Sequence, residues 1–158
     1  MLSLKELSAI YQQYQDSYDT KVEEFVIGNK QLNFNSQPAI LGVINLSTDS
    51  WYKNSICYTP EQAIRRGKVL TAQGADIVDI GSESTGATAA RVEDFKQKSK
   101  VLPVLEALHQ ENVLTSIETY YPEVARACLK AGANVINLTG GENSEEIYQA
   151  VSEFDAGI

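Results

Sequence analysis

A chain of 158 residues with 43% hydrophobic and 22% charged residues has the composition of one folded domain, which argues against a disordered protein. No apolar run approaches the roughly 20 residues of a membrane-spanning helix, and the N-terminus lacks an apolar signal core, so we expect no membrane partner and a cytoplasmic location. The net charge of −8 argues against nucleic acid as a partner, because phosphate binding normally needs a basic surface.

The scarcity of cysteine and histidine argues against several kinds of site. Cys57 and Cys128 lie far apart and form no CxxC pattern, so neither a disulfide framework nor a zinc site is indicated. His109 is the single histidine, and it lies near the end of a predicted helix, where a solvated side chain is far more common than a catalytic base. Ser–His and Cys–His catalysis are therefore not expected.

Residues 1–37 form the first predicted region, which contains one helix and one hairpin. The segment 3–15 predicts an amphipathic helix whose apolar stripe we expect to pack on the rest of the domain, with a partner surface as the alternative. The stripe consists of Leu4, Leu7, Tyr11 and Tyr14. Two short apolar runs within 23–34 flank Gly28-Asn29, which indicates a β-hairpin.

Residues 38–158 alternate regularly between apolar runs and helical patterns. The predicted strands are 39–45, 75–81, 112–118 and 133–140. The predicted helices are 59–74, 92–110, one that carries Val124, Ala127, Cys128 and Ala131, and one that carries Ile147, Ala150, Val151 and Phe154. Pro103 is expected to kink the second helix or to begin a new segment of it. Continuous apolar strands joined by helices predict an α/β fold with a parallel sheet.

The repeated units favour a barrel over an open sheet, without excluding the sheet. "QGADIVDIG" and "AGANVINLTG" share one pattern, in which a helix stop is followed by a strand. A (β/α)8 barrel needs eight such units and about 250 residues. This chain supplies four units, and "DAGI" at 155–158 resembles the first residues of another strand. We therefore predict the N-terminal half of a (β/α)8 TIM-type barrel, preceded by the N-terminal helix and the hairpin.

Each predicted strand ends in an amide or a carboxylate. These residues are Asn45, Asp79, Glu118 and Asn137. Asn and Asp are common at strand ends because they bond their own backbone, so any one of them alone needs no function. Four together predict a ligand site, because ligands bind at the C-terminal ends of parallel strands. Glu118 is the most informative, since glutamate has little turn chemistry of its own.

The loops after the first two strands add polar groups but no nucleotide-binding fingerprint. "NLSTDSW" (45–51) and "GSESTGATAAR" (81–91) are rich in hydroxyls, and neither matches a P-loop or a dinucleotide motif. Oxygen ligands such as Asn45 and Asp49 suit Mg²⁺, which takes few protein ligands, although their spacing alone carries little weight.

At these residues the sequence resembles the pterin-binding barrel family of dihydropteroate synthases. "ILGVINLSTDSW" is similar to the family's NxTPDSF motif, "GADIVDIGSEST" to GADIIDIGGEST, and "SIETYYPEVARACLKAGANVIN" to SIDTxxxxVAxxALxAGAxxIN. The resemblance covers residues 38–158. It implies a transferase of folate synthesis, which joins a dihydropterin methyl pyrophosphate to para-aminobenzoate and releases pyrophosphate.

The resemblance also implies roles for individual residues. Asn45 would bind pyrophosphate and Mg²⁺, while Glu118 and Asn137 would bond the pterin ring. Asp49 in the first loop and Thr85 in the second are the implied catalytic residues. Ser84 would lie near the aminobenzoate. The resemblance leaves open a homodimer when the chain is complete.

Several positions depart from the family pattern. The family has Asp at Glu118, Arg at Gly86 and Asp at Leu138, and Arg91 is the nearby candidate to replace the missing loop cation. The family's later Asp, Lys and Arg have no counterpart up to residue 158, so we expect this chain alone to be inactive.

A non-catalytic or altered-specificity pterin-fold binding protein is the main alternative. A folate-dependent methyltransferase domain is less favoured, because it needs no pyrophosphate loop. Open edges at 39–45 and 133–140 predict aggregation or pairing with a missing half.

Overall fold

The computed structural model describes residues 2–50, 52–84, 92–138 and 144–158. The N-terminal region contains α1 (Leu4–Gln13), α2 (Gln15–Asp19), β1 (Phe25–Ile27) and β2 (Lys30–Leu32). The remaining elements are β3 (Leu41–Asn45), a 3-10 turn (Lys53–Ser55), α3 (Pro60–Ala72), β4 (Ile77–Gly81), α4 (Asp94–Gln110), β5 (Thr115–Glu118), α5 (Pro122–Lys130), β6 (Val135–Asn137) and α6 (Ser144–Glu153). Within these ranges, no helix combines the length and apolarity that crossing a membrane would require.

Strands β3 to β6 form one parallel sheet in sequential order. Each strand lies beside the next strand of the chain, and the helices α3 to α6 pack against their neighbours in the same order. An open doubly wound sheet would reverse its strand order at a switch point, and the described strands contain no such reversal. The arrangement confirms the predicted α/β architecture and corresponds to an arc of a (β/α) barrel.

One row of isoleucines forms the centre of the core. Ile44, Ile80, Ile117 and Ile136 are register neighbours across the four strands, and each is 0% exposed. They pack with the inward faces of the helices, which carry Val101, Val104, Leu105, Leu108, Val124, Cys128, Ile147 and Ala150. Gly67 on α3 permits close packing here, because a Cβ atom at this position would lie 2.8 Å from Leu108 Cδ2 and 3.4 Å from Ile44 Cδ1. The helices therefore cover the isoleucine face of the sheet.

The predicted signals at the ends of α3 are present. The Thr59 side chain accepts a hydrogen bond from the Gln62 backbone N–H at 3.3 Å, and Pro60 occupies the first turn. Gly74 follows the helix with φ +103°, a conformation that glycine adopts without a Cβ penalty. Helix α4 continues through Pro103 as one helix, which excludes a new segment at that residue and leaves the kink a prediction. Its exposed position lets water bond the carbonyl that the proline leaves unpaired.

The predicted hairpin is confirmed and lies at the N-terminal end of the sheet. Gly28 turns with φ +58°, and a Cβ atom there would lie 2.6 Å from Leu114 Cδ2, just before β5. Asp76, just before β4, pairs with Lys30 and accepts the Ile40 N–H at 2.6 Å. The Lys30 hydrogen bond, followed by the Ile40 N–H, holds the pKa of Asp76 below its usual value. The hairpin therefore closes the end of the sheet opposite the strand C-termini, and a domain boundary at residue 37 stays a prediction.

The expected packing of the N-terminal stripe is wrong. The helix begins with the Ser3–Glu6 capping box, but none of its residues is buried, and Leu4 is 86% exposed. Tyr11 contacts only the edge of Tyr18 among the described aromatic rings, at 5.4 Å between centroids. Helical periodicity predicts that an apolar stripe exists, but it carries no information about what covers the stripe.

The two outer strands differ: β3 is the edge strand predicted at 39–45, whereas Gly157 pairs with part of β6, so the edge predicted at 133–140 is not fully open. β3 is an edge strand, and it leaves Leu41 47% and Val43 38% exposed, unlike the fully buried β4. Beside β6, the Ile136 N–H donates to the Gly157 carbonyl at 3.0 Å, and Gly157 forms a parallel bridge with Val135. This bridge confirms that residues 155–158 begin another strand position.

Candidate active site

Polar side chains gather at the C-terminal ends of the strands, on the face opposite the isoleucine row. The register aligns Asn45 with Gly81, Gly81 with Glu118, and Glu118 with Asn137. Successive side chains of a strand point to opposite faces, so this row faces away from the helices. The parallel register thus brings three predicted site residues, Asn45, Glu118 and Asn137, to one face at one level of the sheet.

Asp79 does not belong to that row, so its prediction as the matching strand end is wrong. Asp79 lies two residues earlier in β4 and is aligned with Val43 and Ser116. It points to the same face one level deeper, where it is 4% exposed. The Asn137 Nδ2 donates to Asp79 Oδ2 at 3.1 Å, which connects the two levels. Strand β4 ends at Gly81, two residues after Asp79. The last polar residue of a predicted strand therefore does not show at which level of the sheet that residue lies.

Gly81 leaves the space that the neighbouring polar groups occupy. A Cβ atom at Gly81 would lie 2.7 Å from Glu118 Oε2 and 3.5 Å from Asn45 Oδ1. Real Cβ atoms do not approach a carboxylate oxygen this closely, so any side chain at this position would displace Glu118. Glycine here brings the Glu118 carboxylate and the Asn45 amide to the same surface of the sheet.

A cavity of about 380 Å³ opens over this surface. Its lining combines the end of β3, the loop and 3-10 turn that follow it, the loop after β4 and the end of β5: Val43, Asn45, Ser50, Tyr52, Ser55, Glu83, Ser84 and Glu118. Three of the predicted substrate-binding residues, Asn45, Ser84 and Glu118, therefore line one cavity. Asn137 adjoins Glu118 in the sheet and bonds to Asp79 beneath it.

Asn45 is oriented by the 3-10 turn. Its Nδ2 donates to Ser55 Oγ at 2.6 Å, and Ser55 Oγ in turn donates to the Tyr52 carbonyl at 2.7 Å. The main-chain carbonyl of Asn45 also accepts the Cys57 N–H at 2.8 Å, and this bond holds the turn against β3. Because the Ser55 hydroxyl uses its proton on Tyr52, Asn45 must present its NH₂ group to Ser55. The Asn45 Oδ1 is thereby directed to the Gly81 side, where it can accept a bond or ligate a cation.

The electrostatic potential at this surface is negative. Burial raises the pKa of Glu118 to about 7, and the nearby carboxylates of Asp79 and Glu83 contribute in the same direction. Burial also raises the pKa of Asp79, against the hydrogen bonds of Ser116 and Asn137. No lysine or arginine lines the cavity among the described residues. The site thus favours a ligand that presents N–H donors or a positive charge to Glu118.

Of the two predicted catalytic residues, Asp49 is not among the residues that line this cavity, and Thr85 cannot be placed. Asp49 is exposed on the loop after β3, where its N–H donates to Ser47 Oγ at 3.3 Å, and Ser50 lines the cavity instead. Thr85 lies outside the described residues, as do Gly86 and Arg91. The catalytic roles of Asp49 and Thr85 stay predictions.

The lining residues that were not predicted as site residues are Val43, Ser50, Tyr52, Ser55 and Glu83. Glu83 is 5% exposed, and its Oε2 accepts the Val92 N–H at 2.9 Å and the Gln97 Nε2 at 2.8 Å. A signal for Glu83 was present, since Asp79, Gly81 and Glu83 continue the two-residue alternation of β4. The short turn at Lys53–Ser55 has no comparable sequence pattern.

The described residues contain no group of three His, Cys, Asp or Glu side chains that could hold a metal ion. Mg²⁺ does not need such a group, because it keeps most of its waters and often takes one or two protein oxygens together with substrate phosphates. The Asn45 Oδ1 meets that smaller requirement.

Comparison with known proteins agrees with this geometry. The family profile described as "Pterin binding enzyme" matches residues 41–158. A dihydropteroate synthase from Staphylococcus haemolyticus is 36% identical over 120 residues, which cover 75% of this chain and 45% of the relative.

Two solved structures show the same relationship. The dihydropteroate synthase of Burkholderia cenocepacia, complexed with 7,8-dihydropteroate, is 35% identical with a TM-score of 0.66, over 81% of this chain and 42% of that chain. The enzyme of Thermus thermophilus, in complex with 4-aminobenzoate, is 31% identical with a TM-score of 0.68, over 85% of this chain and 46% of that chain. The chain thus spans less than half the length of each protein. This match confirms that its four βα units are the N-terminal half of a (β/α)8 barrel.

Proposed function

Because the chain belongs to the pterin binding enzyme family, we propose that it supplies the pterin-recognition half of a dihydropteroate synthase-type transferase. In this reaction the aminobenzoate amine forms a C–N bond to the pterin methylene carbon, the C–O bond to pyrophosphate breaks, and the amine loses a proton. One observation carries the proposal: the half-buried Glu118 carboxylate lies beside the Asn45 amide across Gly81, on the floor of a cavity.

Glu118 has the chemistry to recognise the pterin ring. The amino-pyrimidine edge of a pterin presents two parallel N–H donors, which match the two oxygens of an ionised carboxylate. Asn137 lies beside Glu118 and adds an amide to the same row. The dihydropteroate in the Burkholderia cenocepacia complex supports a pterin as the ligand. The aminobenzoate in the Thermus thermophilus complex supports the second substrate, which we place near Ser84 on the cavity wall.

Mg²⁺ is the cofactor that this proposal implies, with Asn45 as its protein ligand. The donor chemistry fits, because the Asn45 Oδ1 is not engaged by Ser55 and a hard cation prefers oxygen ligands. When bound, the cation would neutralise charge on the leaving pyrophosphate. Asn45 would hold this end of the substrate, and the Ser55 hydroxyl keeps the amide in the required orientation.

We expect the described part of the site to be insufficient for turnover. No cationic side chain lines the cavity in the described ranges, whereas a departing pyrophosphate needs positive charge around it. We therefore expect no product from this chain by itself in the presence of both substrates and Mg²⁺. Measurable turnover would contradict the proposal that the reaction needs cationic residues which this chain does not supply. A homodimer of a complete chain and a cytoplasmic location stay predictions.

The direct test is pterin binding by the chain itself. Isothermal titration with 6-hydroxymethyl-7,8-dihydropterin at pH 8 should give one site, and Glu118→Ala should weaken binding at least about tenfold, since a charged hydrogen-bond partner is lost. Glu106→Ala is the matched control, because Glu106 is exposed on α4. Equal affinity in the two variants would make Glu118 a bystander.

A non-catalytic pterin-binding protein is the second candidate. The negative cavity favours it, because a pyrophosphate needs cationic surroundings, and Glu118 favours it, because the family has the shorter Asp at this position of the pterin site. Incorporation of labelled aminobenzoate by the complete protein separates the two functions. A methyltransferase-type domain would bind the pterin without any dependence on pyrophosphate or Mg²⁺.

A further inference from the structure

A fully buried amide lies behind the candidate site. Gln97 on α4 is 0% exposed, and it shares the inward face of that helix with Val101, Val104, Leu105 and Leu108. An apolar residue at this position would continue the core. A buried amide is instead costly unless all its polar groups are bonded, so its presence calls for a specific set of partners.

The Gln97 amide uses all its hydrogen atoms and its oxygen on two separate segments. Its Nε2 donates to Glu83 Oε2 at 2.8 Å and to the Val92 carbonyl at 3.0 Å. Its Oε1 accepts from Thr119 Oγ1 at 3.1 Å. The reversed amide would place its oxygen against two acceptors, so hydrogen-bond chemistry allows only this orientation.

These partners belong to two segments, which contribute Glu83 and Glu118 to the lining of the cavity. Glu83 lines the cavity after β4, and Thr119 directly follows Glu118 at the end of β5. Thr119 is 1% exposed, and its hydroxyl also accepts the Tyr121 N–H at 3.2 Å, which fixes the entry into α5. A single amide therefore joins the wall that carries Glu83 to the segment that carries Glu118, although Gln97 itself does not line the cavity.

We infer that Gln97 is a positioning residue, which sets the separation of Glu83 and Glu118 and so the shape of the surface that meets the pterin edge. This inference rests on the proposed function for the identity of the ligand. The bridge between the segments that carry Glu83 and Glu118 does not depend on a ligand. The acidic groups that face Glu118 from the neighbouring elements are Asp79 on β4 and Glu83 after it. Gln97 affects the surroundings of Glu118 through Glu83, because its amide holds the Glu83 Oε2 atom in place.

The first test compares variants that remove the bridge from each side. Gln97→Leu and Thr119→Val should each weaken binding of 6-hydroxymethyl-7,8-dihydropterin about tenfold, and the double variant should lose little more, because both break one bridge. Thr119→Ser keeps the hydroxyl and should bind like the parent chain. Gln110→Leu makes the same chemical change at the exposed end of α4 and should have no effect.

A second measurement needs no ligand. Hydrogen exchange should become faster at the Val92 and Tyr121 amides in Gln97→Leu, while the Leu105 amide in the core of α4 stays protected. If Gln97→Leu does not fold, Thr119→Val breaks the bridge from the other side. Because this variant also removes the acceptor of the Tyr121 N–H, the Val92 amide, which donates to Glu83, supplies the comparison.

The outcomes separate this inference from the proposed function. A parent chain that binds no pterin overturns the proposed function, and the exchange at Val92 and Tyr121 still decides the role of Gln97. A parent chain that binds pterin, with unchanged affinity in Gln97→Leu and Thr119→Val, overturns the positioning role alone. Unchanged exchange at both amides also overturns it.

Discussion

The two faces of the parallel sheet carry adjacent residues with opposite tasks. Ile44, Ile80, Ile117 and Ile136 form a dry row under the helices, each 0% exposed. The next residue along each strand is Asn45, Gly81, Glu118 or Asn137, and this row faces the cavity side. A shift of one residue in register would exchange the two rows, since side chains alternate between the faces.

The comparison teaches that stability and recognition are separated by one position in the chain. The isoleucine row stabilises the sheet through burial and gains nothing from a ligand. The polar row costs stability, because it holds the Glu118 carboxylate in a half-buried, negative environment. A ligand that presents N–H donors would offset this cost. Substitutions at adjacent residues should therefore affect different measurements.

The largest effect is expected at Ile117. Ile117→Ala removes a fully buried side chain and leaves a cavity, so the free energy of unfolding should fall by about 2–5 kcal/mol in urea titration. Ile40→Ala is the matched control, because Ile40 is 58% exposed, and it should change stability by less than about 1 kcal/mol. Similar losses in the two variants would mean that the isoleucine row is not the core.

The second prediction concerns the glycine in the polar row. Gly81→Ala places a Cβ atom 2.7 Å from the present position of Glu118 Oε2, which is too close, and the end of the glutamate side chain can move aside. We expect stability to change by less than about 1 kcal/mol, while pterin affinity falls at least about tenfold because the carboxylate is displaced. Unchanged affinity would show that the space over Gly81 is not part of the pterin site.

The smallest effect is the dependence of stability on the charge of Glu118. Its pKa is about 7 in the fold against 4.5 ordinarily, so ionisation costs stability progressively as pH rises from 4.5 through 7. Glu118→Gln removes this cost. The variant should gain about 1 kcal/mol over the parent chain above pH 7, a value reduced for solvent screening, and nothing at pH 4. Urea titrations at both pH values check this, and a gain that is independent of pH would contradict it.

Pterin binding should follow the same ionisation. Because the ionised carboxylate accepts the N–H donors, affinity should rise as pH increases through about 7, which is the pKa of Glu118 in the fold. Titration calorimetry across this range measures the dependence, and the Glu118→Gln variant should lack it.

The sequence predicted the elements well where periodicity and end signals agreed. Strands β3 to β6, helix α3 with Thr59 and Gly74, and the hairpin at Gly28 all follow from local pattern. Local pattern failed where the outcome depends on another element. The stripe on α1 is exposed because no described element covers it, and the level of Asp79 depends on the register between strands.

The site was predicted in part for the same reason. Asn45, Ser84 and Glu118 line the cavity, because strand ends of a parallel sheet converge. Glu83 was overlooked among the hydroxyls of its loop, and Gln97 lies in a helix where its polarity has no local meaning. Its role depends on hydrogen bonds to Glu83 and Thr119, which are 14 and 22 residues away in sequence.

The most direct measurement of the central claim is a crystal structure of the chain soaked with 6-hydroxymethyl-7,8-dihydropterin at pH 8. The account predicts that the amino-pyrimidine edge donates two hydrogen bonds to the Glu118 carboxylate, with the ring over Gly81 and beside Asn45. A pterin bound elsewhere, or bound here with its amino edge turned away from Glu118, would contradict the account.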